Sequence, residues 1–141
     1  MTNAMFSAFH LSFHGNCREA MQFYQSCFNG DLEIQLVEEA PHSEELPTWM
    51  KHFVLQAILR IPGLMLIGSD LGTPSDLNAS NRIAIHLTMY DESYFSEIIS
   101  ALTELQSQHI TSLYKTDNRV SFTDRYHITW IITLRKCYVT L

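Results

Sequence analysis

From Phe6 to Phe13 the apolar residues Phe9, Leu11 and Phe13 alternate with Ala8, His10, Ser12 and His14, the period of two that marks a strand. The turn "HGN" follows, in which Asn16 is placed to cap a helix and Glu19 to complete a capping box. Ala20, Met21, Phe23, Tyr24, Cys27 and Phe28 then form an apolar stripe at helical spacing, and Gly30 is the expected stop. "DLEIQLVEE" alternates again and predicts a strand. "APHSEELPTWMKH", rich in Pro, Ser and Glu, predicts a loop. "FVLQAILRI" and "LMLIGSD" flank Pro62-Gly63, which is turn chemistry between antiparallel strands.

The second half repeats this order. "RIAIHLTMY" predicts a strand, and Asp91 caps a helix whose stripe is Phe95, Ile98, Ile99, Leu102 and Leu105. "HITSLY", "RVSFTD" and "HITWIITL" supply three strands, with Asp117-Asn118 as a turn. Laid over each other, "HLSFHGN" and "HLTMYD" align His10 with His86, Leu11 with Leu87 and Ser12 with Thr88. The helical stripes align as well, so the chain reads as two βαβββ copies offset by roughly 77 residues. Each copy covers one face of its sheet with its own helix and leaves the other bare, so joining two sheets around a shared concavity is favourable. The expected fold is therefore α+β, one domain over residues 1–141, with module one at about 5–70 and module two at about 82–136. Its curved mixed sheet would enclose a central cup suited to a ligand.

Composition narrows the function. With 46% hydrophobic residues, 17% charged residues and a net charge of -6, the chain reads as globular and repels nucleic acid and anionic membrane. No stretch approaches the ~18 apolar residues of a membrane span, and no leader pattern opens the chain. Cys17, Cys27 and Cys137 are odd in number and lack CxxC spacing, which argues against disulfides and structural zinc and for a reducing, cytoplasmic setting. Cys17 and Cys27 fall on the helical stripe and read as packing residues.

The segments "LSFHGNCREAMQFYQSCFNGDLEIQ", "LQAILRI", "LMLIGSD" and "SFTDRYHITWII" resemble the vicinal-oxygen-chelate superfamily of glyoxalases, bleomycin-resistance proteins and extradiol dioxygenases. More narrowly they resemble its PhnB-like branch, also labelled demethylubiquinone methyltransferase-like. The resemblance implies the glyoxalase-like fold already read from the repeat, and a homodimer. In metal-dependent members, ligands stand on the first and last strands of each module. Those positions fall near Ala8, Ile67, Ala84 and Ile131 here, all apolar. Trp130 keeps a tryptophan common in the branch, while His127 stands where a glycine is usual and "YKTDNRV" where Trp-Gly is usual. Gln56 sits where PhnB-like relatives often carry histidine.

Two histidines four apart suggest a metal pair, but on a strand His10 and His14 would be about 13 Å apart at ~3.3 Å per residue. Ligand bonds of about 2 Å do not close that gap. The pair that matters is His10 and His86. With Leu11, Phe13, Leu87 and Met89 turned to the helices, His10, Ser12, His86 and Thr88 face the cup. Gln56 and Trp130 complete the candidate ligand-binding set, with Tyr126 a further aromatic candidate. Asp124-Arg125 reads as a structural pair, and Glu38, Glu39, Glu44 and Glu45 as a solvated loop face.

Two functions follow. One is a binding module for an unidentified small molecule without a tightly bound metal. The other is a lyase or dioxygenase in which His10, His86 and substrate oxygens hold a divalent ion weakly, since two histidines without carboxylates make an open site.

Overall fold

The computed structural model describes residues 5, 7–70, 83–104 and 109–135. The chain divides into two compact units, Met1–Ala79 and Ser80–Leu141. The first unit runs β1 (Phe9–Ser12), α1 (Cys17–Phe28), β2 (Asp31–Leu36), β3 (Val54–Ile61) and β4 (Leu64–Ser69). Its sheet has the order β1-β4-β3-β2, with β1 parallel to β4 and the other pairs antiparallel. The second unit runs β5 (Ile85–Met89), α2 (Glu92–Glu104), β6 (Thr111–Lys115), β7 (Arg119–Thr123) and β8 (Thr129–Leu134). Its order is β5-β8-β7-β6, with the same single parallel pair between first and last strands. The α+β class and the duplicated βαβββ order expected from the sequence are both present. The predicted loop between β2 and β3 carries three short 3-10 turns, at Val37–Glu39, Ser43–Glu45 and Thr48–Met50.

Helix α1 buries Cys17, Ala20, Met21, Tyr24, Cys27 and Phe28, the stripe read from the sequence, against β2, β3 and β4. Burying a side chain such as Met21 or Leu59 stabilises by roughly 1.5–3 kcal/mol. Gly68 lets the helix come this close, because a Cβ there would stand 2.9 Å from Cys17 Sγ and 3.1 Å from Met21 Sδ.

Both ends of α1 depart from expectation. Asn16 makes no side-chain cap hydrogen bond. Its place is taken by Asp70, just past β4, whose Oδ1 accepts from the Gly15 and Cys17 backbone N–H groups at 2.8 and 2.9 Å. Asp70 Oδ2 accepts from Val54 N at 2.9 Å, so one buried carboxylate ties the helix start to β3. A charged acceptor satisfies orphan helix donors more strongly than an amide oxygen, and it suits the positive end of the helix. At the other end Asn29, not Gly30, adopts the left-handed turn, with φ 54. Gly30 answers a different need, since a Cβ there would lie 2.8 Å from the Arg60 carbonyl oxygen.

Helix α2 behaves as expected. Asp91 Oδ1 accepts from Ser93 N at 2.9 Å, and Phe95, Ile98, Ile99 and Leu102 are buried. Leu105 lies outside the described residues. Gly63, at φ 83, follows Pro62 in the β3–β4 turn, and Asp117-Asn118 form the β6–β7 turn closed by Thr116 N donating to Arg119 O at 2.8 Å. Among the described residues, no helix is long and apolar enough to cross a membrane.

Candidate functional site

In each unit the helix covers one face of the sheet, and the opposite face is where the sequence places its polar candidates. In the first unit Ala57, Leu59 and Ile61 of β3 are buried on the helix side, which puts Gln56, Ile58 and Arg60 on the open side. His10 is opposite Ile67, which is opposite Ile58, which is opposite Glu33. The next row brings Ser12 opposite Ser69 and Gln35 opposite Gln56. His10, Ser12 and Gln56 are solvent-exposed, and Arg60 is ion-paired with Glu33 across the strands. His10 Nε2 stands 3.5 Å from Ser69 Oγ, the outer reach of a hydrogen bond.

The second unit repeats the arrangement. His86 is opposite Ile131, which is opposite Ser121, and Thr88 is opposite Thr133. His86 Nε2 lies 3.0 Å from Thr133 Oγ1. In both units, then, the first-strand histidine meets the hydroxyl two residues beyond its partner on the parallel last strand. Ser69 and Thr133 were not singled out from the sequence. Laying "LMLIGSD" over "ITWIITL" aligns Ile67 with Ile131 and Ser69 with Thr133, and that register would have found them. Such a contact fixes the ring's orientation and leaves Nδ1 as the second hydrogen-bonding atom of each imidazole.

Trp130 is not on this face. It pairs with Ile85 and Phe122 on the helix side, is wholly buried, and donates its indole N–H to Asp124 Oδ2 at 2.9 Å. Tyr126 is also buried, 7% exposed. The reason is parity: Ile131 occupies the open face, so its neighbour must occupy the other. Asp124 is a structural hub, as its position before β8 suggested. Its Oδ1 accepts from Tyr126 N at 2.8 Å and Ile128 N at 3.1 Å. His14 lies beyond the end of β1, its ring edge-on to Phe53 at 5.8 Å.

Cys17 is buried and free, and burial, with a smaller contribution from the Asp70 charge, pushes its thiol up to about 12. It is a packing group, not a nucleophile. Cys27 is likewise buried, and Cys137 lies outside the described residues.

Two βαβββ units with these strand orders form a glyoxalase-like fold. Solved structures that share it include PA1353 from Pseudomonas aeruginosa, at 24% identity and a TM-score of 0.76 over 95% of this chain and 100% of that one. The PhnB protein from Bacillus cereus is similar at 18% identity and a TM-score of 0.70, over 93% and 100% of the two chains. A FosX fosfomycin resistance protein from Listeria monocytogenes, complexed with Mn(II) and 1S,2S-dihydroxypropylphosphonic acid, is similar at 11% identity and a TM-score of 0.65, over 96% and 95%. No protein-family profile and no curated protein sequence matches the chain.

The fold raises the question of a divalent ion. The four positions that the resemblance assigns to ligands do not fit one. Ala8 and Ala84 stand one residue before β1 and β5, while Ile67 and Ile131 lie beside His10 and His86. Alkyl side chains carry no lone pair, and hard or borderline cations need oxygen or nitrogen donors. Among the described residues no three His, Cys, Asp or Glu side chains gather as a metal-binding group.

Proposed function

We propose that this chain is a small-molecule-binding protein of PhnB-like type, which takes its ligand on the open sheet faces through His10 and His86 and lacks the complete metal site of metal-dependent relatives. One observation carries the reading: a histidine–hydroxyl pair recurs in both units, next to alkyl groups where a chelating relative needs donors. On each open face polar groups stand in register with alkyl ones, beside Ile58 and Ile67 in the first unit and beside Ile131 in the second, the mixture of apolar contact and sparse hydrogen bonding that small-molecule sites use. Ser12, Gln56 and Thr88 supply the remaining polar contacts. The buried free thiol of Cys17 accords with a cytoplasmic location.

The test has two arms. Protein purified without chelators should carry far less than one equivalent of manganese, nickel, zinc or iron by elemental mass spectrometry, and a stoichiometric metal would overturn the reading. Imidazole NMR signals of His10 and His86 should shift during titration with a library of small aromatic acids, and His86→Ala should abolish the hit's binding. A library that moves neither ring would count against ligand uptake on these faces.

The metal-dependent alternative, a lyase or dioxygenase, is favoured by the Mn(II) complex of the FosX neighbour. It requires His10 and His86 to bind the ion together with substrate oxygens. Manganese titration of the double variant His10→Ala, His86→Ala should then lose all binding, and unchanged binding would exclude it. We also propose a homodimer, supported by edge strand β6, exposed along its whole length. Light scattering should return twice the 16.3 kDa of one chain.

A further inference from the structure

The two βαβββ copies share a strand order and differ in what their open faces present. In the first unit Ile58 stands opposite Ile67, and Arg60 opposite Met65. In the second, Ser121 stands opposite Ile131, and Thr123 opposite Thr129. Ser121 thus takes the place of Ile58, and Thr123 and Thr129 take those of Arg60 and Met65. Val120, Phe122, Trp130 and Ile132 are buried on the helix side, so strand parity turns the residues between them to the open face.

The hydroxyls continue across the sheet. Thr88 stands opposite Thr133, and Thr133 opposite Arg119. In the next row Ser121 lies between Ile131 and Tyr114, and in a third Thr123 lies between Thr129 and Thr111. Such positions repeat about every 4.8 Å across strands and about every 6.8 Å along them. His86 Nε2 lies 3.0 Å from Thr133 Oγ1, and Thr123 Oγ1 2.9 Å from Thr129 Oγ1. A hydroxyl has one donor and two acceptor sites, so these groups keep capacity for a ligand. The Thr88, Thr111 and Ser121 hydroxyls make no hydrogen bond among the described residues.

Charge separates the two faces further. In the first unit Glu33 pairs with Arg60. Arg119 is exposed and makes no ion pair among the described residues, and no residue in these three rows is acidic. On a chain of net charge -6, this guanidinium is a fork of donors beside a field of hydroxyls, complementary to an anionic group. Tyr114, 62% exposed, adds an aromatic ring in the row of Ser121. Its apolar face and hydroxyl tip suit a ligand that is polar at its edges and apolar on its faces.

We infer that the open face of the second unit recognises a sugar bearing an anionic group, a carboxylate or a phosphate. This rests on the open-face reading above and names the chemistry of its ligand. The Arg119 guanidinium takes the anion, the Thr88, Thr133 and Ser121 hydroxyls meet the ring hydroxyls, and Tyr114 meets the apolar face of the ring. Sugar hydroxyls donate and accept as these side chains do, whereas a ligand without hydroxyls would displace water from them and leave them without partners.

D-Glucuronate, D-glucose 6-phosphate and neutral D-glucose, titrated separately into the isotope-labelled full chain at ionic strength held constant with sodium chloride, test it. Saturable NMR shifts at His86, Ser121 and Arg119 Nε are expected with at least one charged sugar, which should bind about tenfold or more tighter than glucose. The tighter of the two distinguishes carboxylate from phosphate. Arg119→Ala should bring the charged sugar down to the affinity of glucose. Ser121→Ile, which installs the first unit's residue and keeps a good strand former, should weaken binding about tenfold or more while circular dichroism stays unchanged. Shifts that never saturate, glucose binding as tightly as both charged sugars, or wild-type affinity in both variants would overturn the proposal. Aromatic acids that shift the His86 ring while neither charged sugar does would overturn it and leave the open-face reading standing. If no compound shifts His86, both fall.

Discussion

At the scale of single residues, the turn before β8 concentrates opposing costs. His127 holds a left-handed backbone at about 1–2 kcal/mol, whereas glycine there would forfeit roughly 0.5–1 kcal/mol of chain entropy. His127→Gly should therefore raise unfolding stability by about 0.5–1 kcal/mol in urea titrations. Asp124→Asn should do the opposite. Whichever way its amide points, an NH2 meets either the Trp130 indole N–H or the Tyr126 and Ile128 N–H groups. A buried donor facing a donor costs about 2–3 kcal/mol, readable in the same titration. Cys17 yields a pH prediction. Its folded thiol ionises near 12 against an ordinary 9.0, so the unfolded chain releases the proton first as pH rises. The stability this contributes is complete below about pH 9 and disappears as pH climbs through about 12. Iodoacetamide labelling followed by peptide mass mapping should find Cys17 modified at pH 8 only after denaturant is added.

At the scale of elements, α1 is seated by a glycine and pinned by an aspartate from far along the chain. Gly68→Ala would press a methyl against Cys17 Sγ at 2.9 Å, and although flexible Met21 can yield, Cys17 sits at the fixed helix start. We expect a loss of about 1–3 kcal/mol, measured by thermal unfolding, with secondary structure retained in circular dichroism. Local patterns made the strands, both helical stripes, the Asp91 cap and the Pro62-Gly63 turn legible, because each depends on neighbours within one or two turns. The α1 cap was not legible, since Asp70 lies 53 positions from Cys17 and only the folded sheet brings it there. Trp130 was misplaced for a different reason. Strand β8 lies between β5 and β7 and carries apolar residues on both faces, Ile131 on one and Trp130 and Ile132 on the other, so alternation gives no parity. His10 and His86 were legible because their strands alternate polar with apolar, whereas Ser69 and Thr133 needed the parallel register.

At the scale of the molecule, each unit holds one tryptophan in a contrasting setting. Trp49 is 63% exposed, and Trp130 is wholly buried. Trp49→Phe should leave blue-shifted emission that acrylamide quenches poorly, a direct reporter of the second unit's packing. Emission quenched as readily as free indole would contradict the burial of Trp130. Among the described residues, the strand made first in each unit pairs only with the strand made last, Phe9 with Leu66 and Ile85 with Trp130. During synthesis, β1 must therefore leave the ribosome with no hydrogen-bonding neighbour, and it stays so until β4 emerges. Closure of each half is thus a late, long-range step, and that interval, more than the finished fold, is when this chain is most open to chaperones and to pairing with the wrong strand.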